Sequence, residues 1–320
     1  HTKFHKMKKI TNNARWTKIS MILNVLILVT FVIMTVFMNK FDKENSQLVA
    51  KKHQYETGLD SLKTIEHPRK LALQEFEYYS NKVDTLQAQT PPTDKEELKV
   101  YTETLERNIK NLEEKEANLA KVDSTINAAT KAFAPIKTEY ETLMANADVQ
   151  KGKFRLWMII TIVLVVSKLA AFATWNYFNL KNLHAVSVWM KKGSQPFWAY
   201  VSWIIPVYFF IKPYSVSNEI WEETEYALVD KKIVEKDKIS PNTEFNISLW
   251  WCLVLVAMVF IPIIFNSTFF SVSPMYFKFN HTTVTIIGIV CWIIYMIMDA
   301  ALMMKYNKLN KLMVENEDKF

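Results

Sequence analysis

Apolar residues along this chain are gathered into blocks rather than dispersed. Residues 19–38, 156–175 and 284–304 form three blocks, each close to the ~20 residues an α-helix needs to cross a hydrocarbon core about 30 Å thick. Each is predicted to span a membrane. Residues 249–265 form a shorter block that opens with Trp250 and Trp251, side chains suited to a membrane interface, and Pro262 near its end is tolerable in a lipid-embedded helix. It is predicted to be a fourth span. Residues 197–211 are shorter still and contain Pro206, which predicts a re-entrant or interfacial helix, broken at the proline, within one leaflet.

Between the first two spans the pattern changes. From Leu98, apolar residues recur every seventh position as Leu105, Leu112, Leu119, Ile126, Phe133, Tyr140 and Ala147, with a second seam of Val122, Ala129, Ile136 and Leu143. The preceding arm repeats the pattern more loosely through Leu48, Tyr55, Leu62, Phe76 and Val83, joined by Ile65, Ala72, Tyr79 and Leu86; Arg69 interrupts its first seam. Thr90-Pro91-Pro92-Thr93 breaks the helix between the arms, and Thr93 with Glu96 reads as a capping box that restarts it. Residues 39–153 are therefore predicted to form an antiparallel coiled-coil hairpin outside the cytoplasm, kinked at Pro68 and Pro135. Tyr78, Tyr101 and Ile109 lie off the main stripes and could form a second face for another copy or another protein.

Composition agrees with this division. The chain is 50% hydrophobic and 22% charged, a mixture that a single soluble core would intermix. With 4 Gly in 320 residues, it favours long helices, so the expected class is all-α. Orientation follows from the basic residues. Lys3, Lys6, Lys8, Lys9, Arg15 and Lys18 precede the first span without an acidic residue, which places residues 1–18 in the cytoplasm. Four crossings return the C-terminus there and keep the lysine-rich stretch 212–238 inside. The first span lacks a small-x-small cleavage site, since Val36-Phe37-Met38-Asn39 is bulky, and reads as an uncleaved anchor. Met7 reads as the natural start, with residues 1–6 as an upstream remnant.

The search for chemistry is mostly negative. The six histidines show no metal-ligand spacing, no glycine-rich phosphate loop occurs, and Cys252 and Cys291 read as small packing residues within spans. No cofactor, metal or nucleic-acid partner is expected, and no enzymatic activity. Two charges stand out instead. Lys168 and Asp299 fall at comparable depth in helices predicted to run in the same direction. A lone charge near the bilayer centre costs about 2.5–3.5 kcal/mol on insertion scales. They are candidates for an intramembrane pair, the alternative being that each reaches separately toward the cytoplasmic headgroups.

One run of residues carries a resemblance. Trp175, Tyr177 and Asn182, then Trp198, Trp203 and Pro206, then Pro213, Tyr214, Glu219 and Trp221, and finally Trp250 and Trp251, resemble in order and spacing the bacterial membrane family called domain of unknown function 4328. The resemblance covers about residues 156–320, with residues 19–38 as a possible first span and the hairpin as an insertion. The chain departs from the family pattern at Phe178, Val201 and Phe209-Phe210. The resemblance implies a polytopic protein of the bacterial inner membrane and carries no activity with it.

Two function classes stay open. The first is a non-enzymatic scaffold or adaptor that presents a periplasmic hairpin to an envelope protein or to a second copy. The second is a multimeric transporter, channel or membrane-perturbing protein that uses the intramembrane polar residues. Lipid is a partner in either case.

Overall fold

A computed structural model of the chain describes residues 9–187, 190, 193–239, 242–257 and 281–320. Residues 1–6, and the part of the fourth apolar block from residue 258 onward with Pro262, lie outside the described residues. Among the described residues all regular structure is helical: α1 Ala14–Gln87, α2 Lys95–Val186, α3 Trp198–Ile204, α4 Pro206–Phe209, α5 Lys212–Asp230, α6 Thr243–Leu255 and α7 His281–Glu315, with short 3-10 turns at Lys236–Lys238 and Glu317–Lys319. The chain divides into two compact units, one of His1–Asn39 with Lys151–Phe320 and the other of Lys40–Gln150.

In the first unit, α1 and α2 run antiparallel, Asn13 lying against Asn179, Ser20 against Lys168, and Met38 in one cluster with Phe154. The segment α7 runs antiparallel to α1, with Thr17 bonded to Asn307 and Asn24 to Asp299. Among the described residues, three helices, α1, α2 and α7, contain stretches long and apolar enough to cross a membrane. Their outward faces carry Ile22, Val25, Val29, Ile159, Val163, Val166, Ile287 and Ile297, all exposed, while Asn13, Thr17, Ser20, Asn24, Lys168 and Asp299 are buried. Apolar outside and polar inside is the reverse of a water-soluble bundle, and it is the pattern of a membrane protein.

The Pro206 segment is not one helix. The segments α3 and α4 are separated at Ile205, whose backbone is extended (φ −84°, ψ 116°). A residue before proline is driven out of the α region by the ring, so the break falls one residue before Pro206. Trp203 folds back on Phe172, Phe209 and Trp251, with ring centroids 5.7–5.9 Å apart. Ile204, Val207 and Ile211 face outward.

The second unit is an antiparallel pair of helical arms. Lys51 pairs with Glu139, Arg69 with Asp123 and Glu75 with Lys115, and the Tyr101 hydroxyl donates to the Leu86 carbonyl. Every seam position named from the heptads is buried or half-buried except Leu98, which is exposed near the tip. Arg69, which interrupts the apolar seam, meets Asp123 at 2.7 Å. Tyr101 is turned inward by its bond to Leu86 and does not contribute to a second outer face. Continued toward the tip, its seam reads Lys115, Asn108 and Tyr101, a polar stretch in which Lys115 and Tyr101 bond across to the other arm while buried Asn108 donates to the Thr104 carbonyl of its own helix. The helix restarts at Lys95, capped by Asp94, whose Oδ2 accepts from the amides of Glu96 and Glu97 at 3.1 and 3.2 Å. Asp94, not Thr93, is therefore the cap, because a carboxylate beside two free amide donors is the stronger acceptor. Both helices continue through Pro68 and Pro135.

Candidate functional site

Lys168 and Asp299 meet inside the first unit. Lys168 Nζ donates to Asp299 Oδ2 at 2.6 Å and also to Ser20 Oγ. Asn24 Nδ2 donates to the same carboxylate oxygen at 2.7 Å, and Trp250 Nε1 donates to Oδ1 at 3.0 Å. The site thus takes Ser20 and Asn24 from α1, Lys168 from α2, Trp250 from α6 and Asp299 from α7. The two charged side chains are 1% and 0% exposed. Rings of Phe172 and Tyr295 face the ammonium with centroids 6.0 Å away. Trp292 Nε1 donates to the Asn24 carbonyl at 3.3 Å and fixes that turn of α1 against α7.

Such a pair stands only if each partner is otherwise satisfied, because two charges removed from water each carry a desolvation cost of several kcal/mol. Both oxygens of Asp299 are occupied, one by an indole N–H and the other by an amide and the ammonium. The site is an electrostatic clamp across four helices.

Beside it lies a small cavity of about 20 Å³ lined by Phe172, Trp175, Ser217, Trp221, Trp250 and Asp299 among others. Trp175, Trp221 and Trp250 of the motif run are thereby brought together around Asp299. Tyr306 sits between two of them, its ring 4.9 Å from Trp175 and 5.3 Å from Trp221, and its hydroxyl shares a 2.9 Å hydrogen bond with Thr224. The rest of the motif residues are placed elsewhere in the same unit. Asn182 holds both the N–H and the carbonyl of Thr11, at 2.9 and 2.8 Å. Trp251 Nε1 donates to the Phe210 carbonyl, Tyr214 bonds Ser248, Glu219 accepts from the Ser194 amide, and Trp198 packs at a tilt against Tyr208 with the Lys212 ammonium over its ring. Tyr177 packs on Tyr200, while Pro206 and Pro213 open α4 and α5. These are packing and capping contacts that hold α3–α5 against the bundle.

Ser20, Asn24, Asn13, Asn179, Asn310 and Tyr306 are the residues that sequence reasoning passed over. A signal was present: Asn13, Thr17, Ser20 and Asn24 fall at i, i+4, i+7 and i+11, one stripe of a helix.

Outside the spans, α5 carries an acidic face. Burial pushes the Glu223 carboxyl above its ordinary value, with neighbouring Glu219 and Glu222 adding to the rise against a hydrogen bond from Ser187. Burial also raises Glu225, opposed by Lys305 and Thr243. A carboxyl whose folded pKa is raised binds its proton more tightly when folded. Its stabilisation is complete below the ordinary value of 4.5 and is lost as pH rises through the raised values. The melting temperature of the detergent-solubilised protein is therefore expected to fall as pH is raised from 4.5 toward neutrality, and Glu223→Gln with Glu225→Gln should flatten that fall.

Among the described residues no group of three or more His, Cys, Asp or Glu side chains is arranged to hold a metal ion. A family model described as Domain of unknown function (DUF4328) matches residues 141–308, more than half of the chain. The matched range begins within the second arm of the helical pair and does not include residues 19–38. No curated protein and no solved structure matches the chain.

Proposed function

The chain belongs to the DUF4328 family, and from that premise we propose that it is a non-enzymatic scaffold of the bacterial inner membrane. Its four-span domain anchors a periplasmic coiled-coil hairpin, with both termini in the cytoplasm. The observation that carries this reading is the clamp at Asp299, both of whose oxygens are engaged, by Lys168, Asn24 and Trp250. A carboxylate so occupied ties helices together, and two of the helices it ties, α1 and α2, are those that carry residues 40–150 between them in sequence. The heptad seams of that segment and its inward-turned polar tip support a long helical pair held for association. The partner is an envelope protein or a second copy, and lipid surrounds the anchor.

The test is purification in mild detergent followed by mass measurement of the assembly. The expected result is more than one chain, or a co-purifying envelope protein, with either lost when residues 40–150 are replaced by a short linker. A monomer without partner overturns the scaffold reading. Sidedness is read in a background with Cys252 and Cys291 replaced: Ser61→Cys should react with an impermeant maleimide from outside, whereas Lys236→Cys and Glu315→Cys should not. Labelling at Lys236→Cys would make the Pro206 segment a crossing. A second reading, a multimeric transporter or channel, draws on the buried polar residues of α1 and α2; ion flux in liposomes that is abolished by Asp299→Asn would favour it.

A further inference from the structure

We infer that a file of internal water runs along the seam of α1, α2 and α7, reaching the Lys168–Asp299 pair from the end of the bundle at which α1 begins. The file is lined by Asn13, just ahead of α1, and by Thr17, Ser20 and Asn24 of α1, each at most 2% exposed. Facing them are Asn176 and Asn179 of α2 and Asn307 and Asn310 of α7. Asn310 accepts from the Asn13 amide at 3.1 Å, Thr17 donates to Asn307 at 3.0 Å, and Asn13 is bonded to Asn179. From Asn13 to Asn24 the stripe rises about 16 Å along the helix axis at 1.5 Å per residue. That is about half the thickness of a bilayer core.

Several polar atoms along this seam are buried and have no protein partner: Asn13 Oδ1, Asn24 Oδ1, Asn179 Nδ2, and both Oδ1 and Nδ2 of Asn176. Turning the amides does not remove the deficit. An inverted Asn24 would set its oxygen against the Asp299 carboxylate, and inverting Asn13 and Asn179 together leaves one donor and one acceptor unmet as before. Each such atom kept dry gives up its hydrogen bonds to water with nothing in return. Five along one seam would together be comparable to the whole net stability of a typical folded protein. Water is the partner that satisfies both amide oxygens and amide N–H groups at once.

The far end of the file has measurable room. The 20 Å³ cavity beside the pair is bounded by Asp299, whose Oδ1 holds the Trp250 indole N–H and has a second lone pair for a further donor, and by Trp175, whose Nε1 has no protein partner. Ser217 adds a hydroxyl oxygen that is still free to accept, since its proton goes to the Pro213 carbonyl. A site of at least 10–15 Å³ with two to four polar neighbours is what one buried water requires. The inference is independent of the scaffold reading, because a hydrated seam is compatible with the clamp. It does assign the charge pair a connection to water from one side.

The test uses the full-length protein in sealed vesicles with Cys252 and Cys291 replaced. Silver ion, a small cation that reaches thiols through water, is the probe, and protection from later alkylation after denaturation is the readout. Thr17→Cys and Asn176→Cys are expected to react at least tenfold faster than Ile27→Cys. Ile27 is equally buried but lies one turn beyond Asn24 in apolar surroundings. Equal rates overturn the inference. A measurement without substitutions guards against misfolded variants: hydroxyl radicals generated from water by an X-ray pulse should convert Met303, which lines the cavity, to its sulfoxide faster than Met38, which packs against Phe154. Both methionines are at most 2% exposed, so equal oxidation of the two would leave the cavity dry and the inference wrong.

Discussion

Lys168→Met is expected to destabilise the detergent-solubilised protein by about 3–5 kcal/mol, because it strands a fully buried carboxylate in a span without its counter-charge. Asn24 and Trp250 would still donate to Asp299, which stabilises the carboxylate but supplies no positive charge. Asp299→Asn is expected to cost less, since the amide keeps an oxygen for one donor while the ammonium retains Ser20. The double replacement Lys168→Met with Asp299→Leu separates the pair's net worth from the cost of breaking it. Buried ion pairs replaced whole by apolar side chains are often neutral in stability, so the double variant should melt nearer the parent than Lys168→Met does. The exchange Lys168→Asp with Asp299→Lys should recover part of the single-variant loss. With Asp299→Leu alone completing the cycle, strictly additive effects of Lys168→Met and Asp299→Leu in thermal melts would show that the charges do not act as a pair.

The pair could be anticipated from sequence because a charge inside an apolar block needs a reason, and two charges at similar depth supply one. What surrounds the pair was not legible in the same way. Trp250 was read as an interfacial aromatic at the start of an apolar block, and its indole N–H instead turns inward to Asp299. That choice depends on how α6 lies against α7, which no local pattern encodes. Asn24 and Ser20 were hidden for the opposite reason: small polar residues inside an apolar run lower its hydropathy only slightly, so the stripe is diluted by the valines and leucines between them. In the helical arms the heptads marked the inner faces at nearly every position. They failed where the seam turns polar, at Arg69, Lys115 and Tyr101, since periodicity of apolar residues is blind to a seam completed by ion pairs and a hydrogen bond. The Pro206 segment was legible as a break, but the fold-back of Trp203 onto Phe172 and Trp251 was not.

Phe133→Asp is expected to open the middle of the helical arms. Phe133 is among the few buried apolar side chains of the unit formed by Lys40–Gln150. Its ring lies 5.6 Å from that of Tyr55, which in turn stacks on Tyr140 at 4.3 Å. The ring also rests on Gly58, where an added Cβ would collide with it. This explains a glycine in the interior of a long helix, where it costs about 1 kcal/mol relative to alanine. Removing a buried phenylalanine side chain costs about 3–5 kcal/mol, and the carboxylate adds its own desolvation among aromatic rings. The nearby Lys51–Glu139 and Arg69–Asp123 pairs are largely exposed, and exposed pairs are worth about 0–1 kcal/mol, too little to offset the loss. Amide hydrogen exchange over residues 51–65 and 126–140 should therefore accelerate in the full-length variant, while the helices around Lys168 and Asp299 keep their protection. Gly58→Ala perturbs the same contact from the other side, with overpacking of about 1–3 kcal/mol partly offset by the gain in helix propensity, so its effect should be smaller and local. If Phe133→Asp retains parental protection in both segments, the ring is not in the seam and the pairing of the arms at Gly58 is wrong.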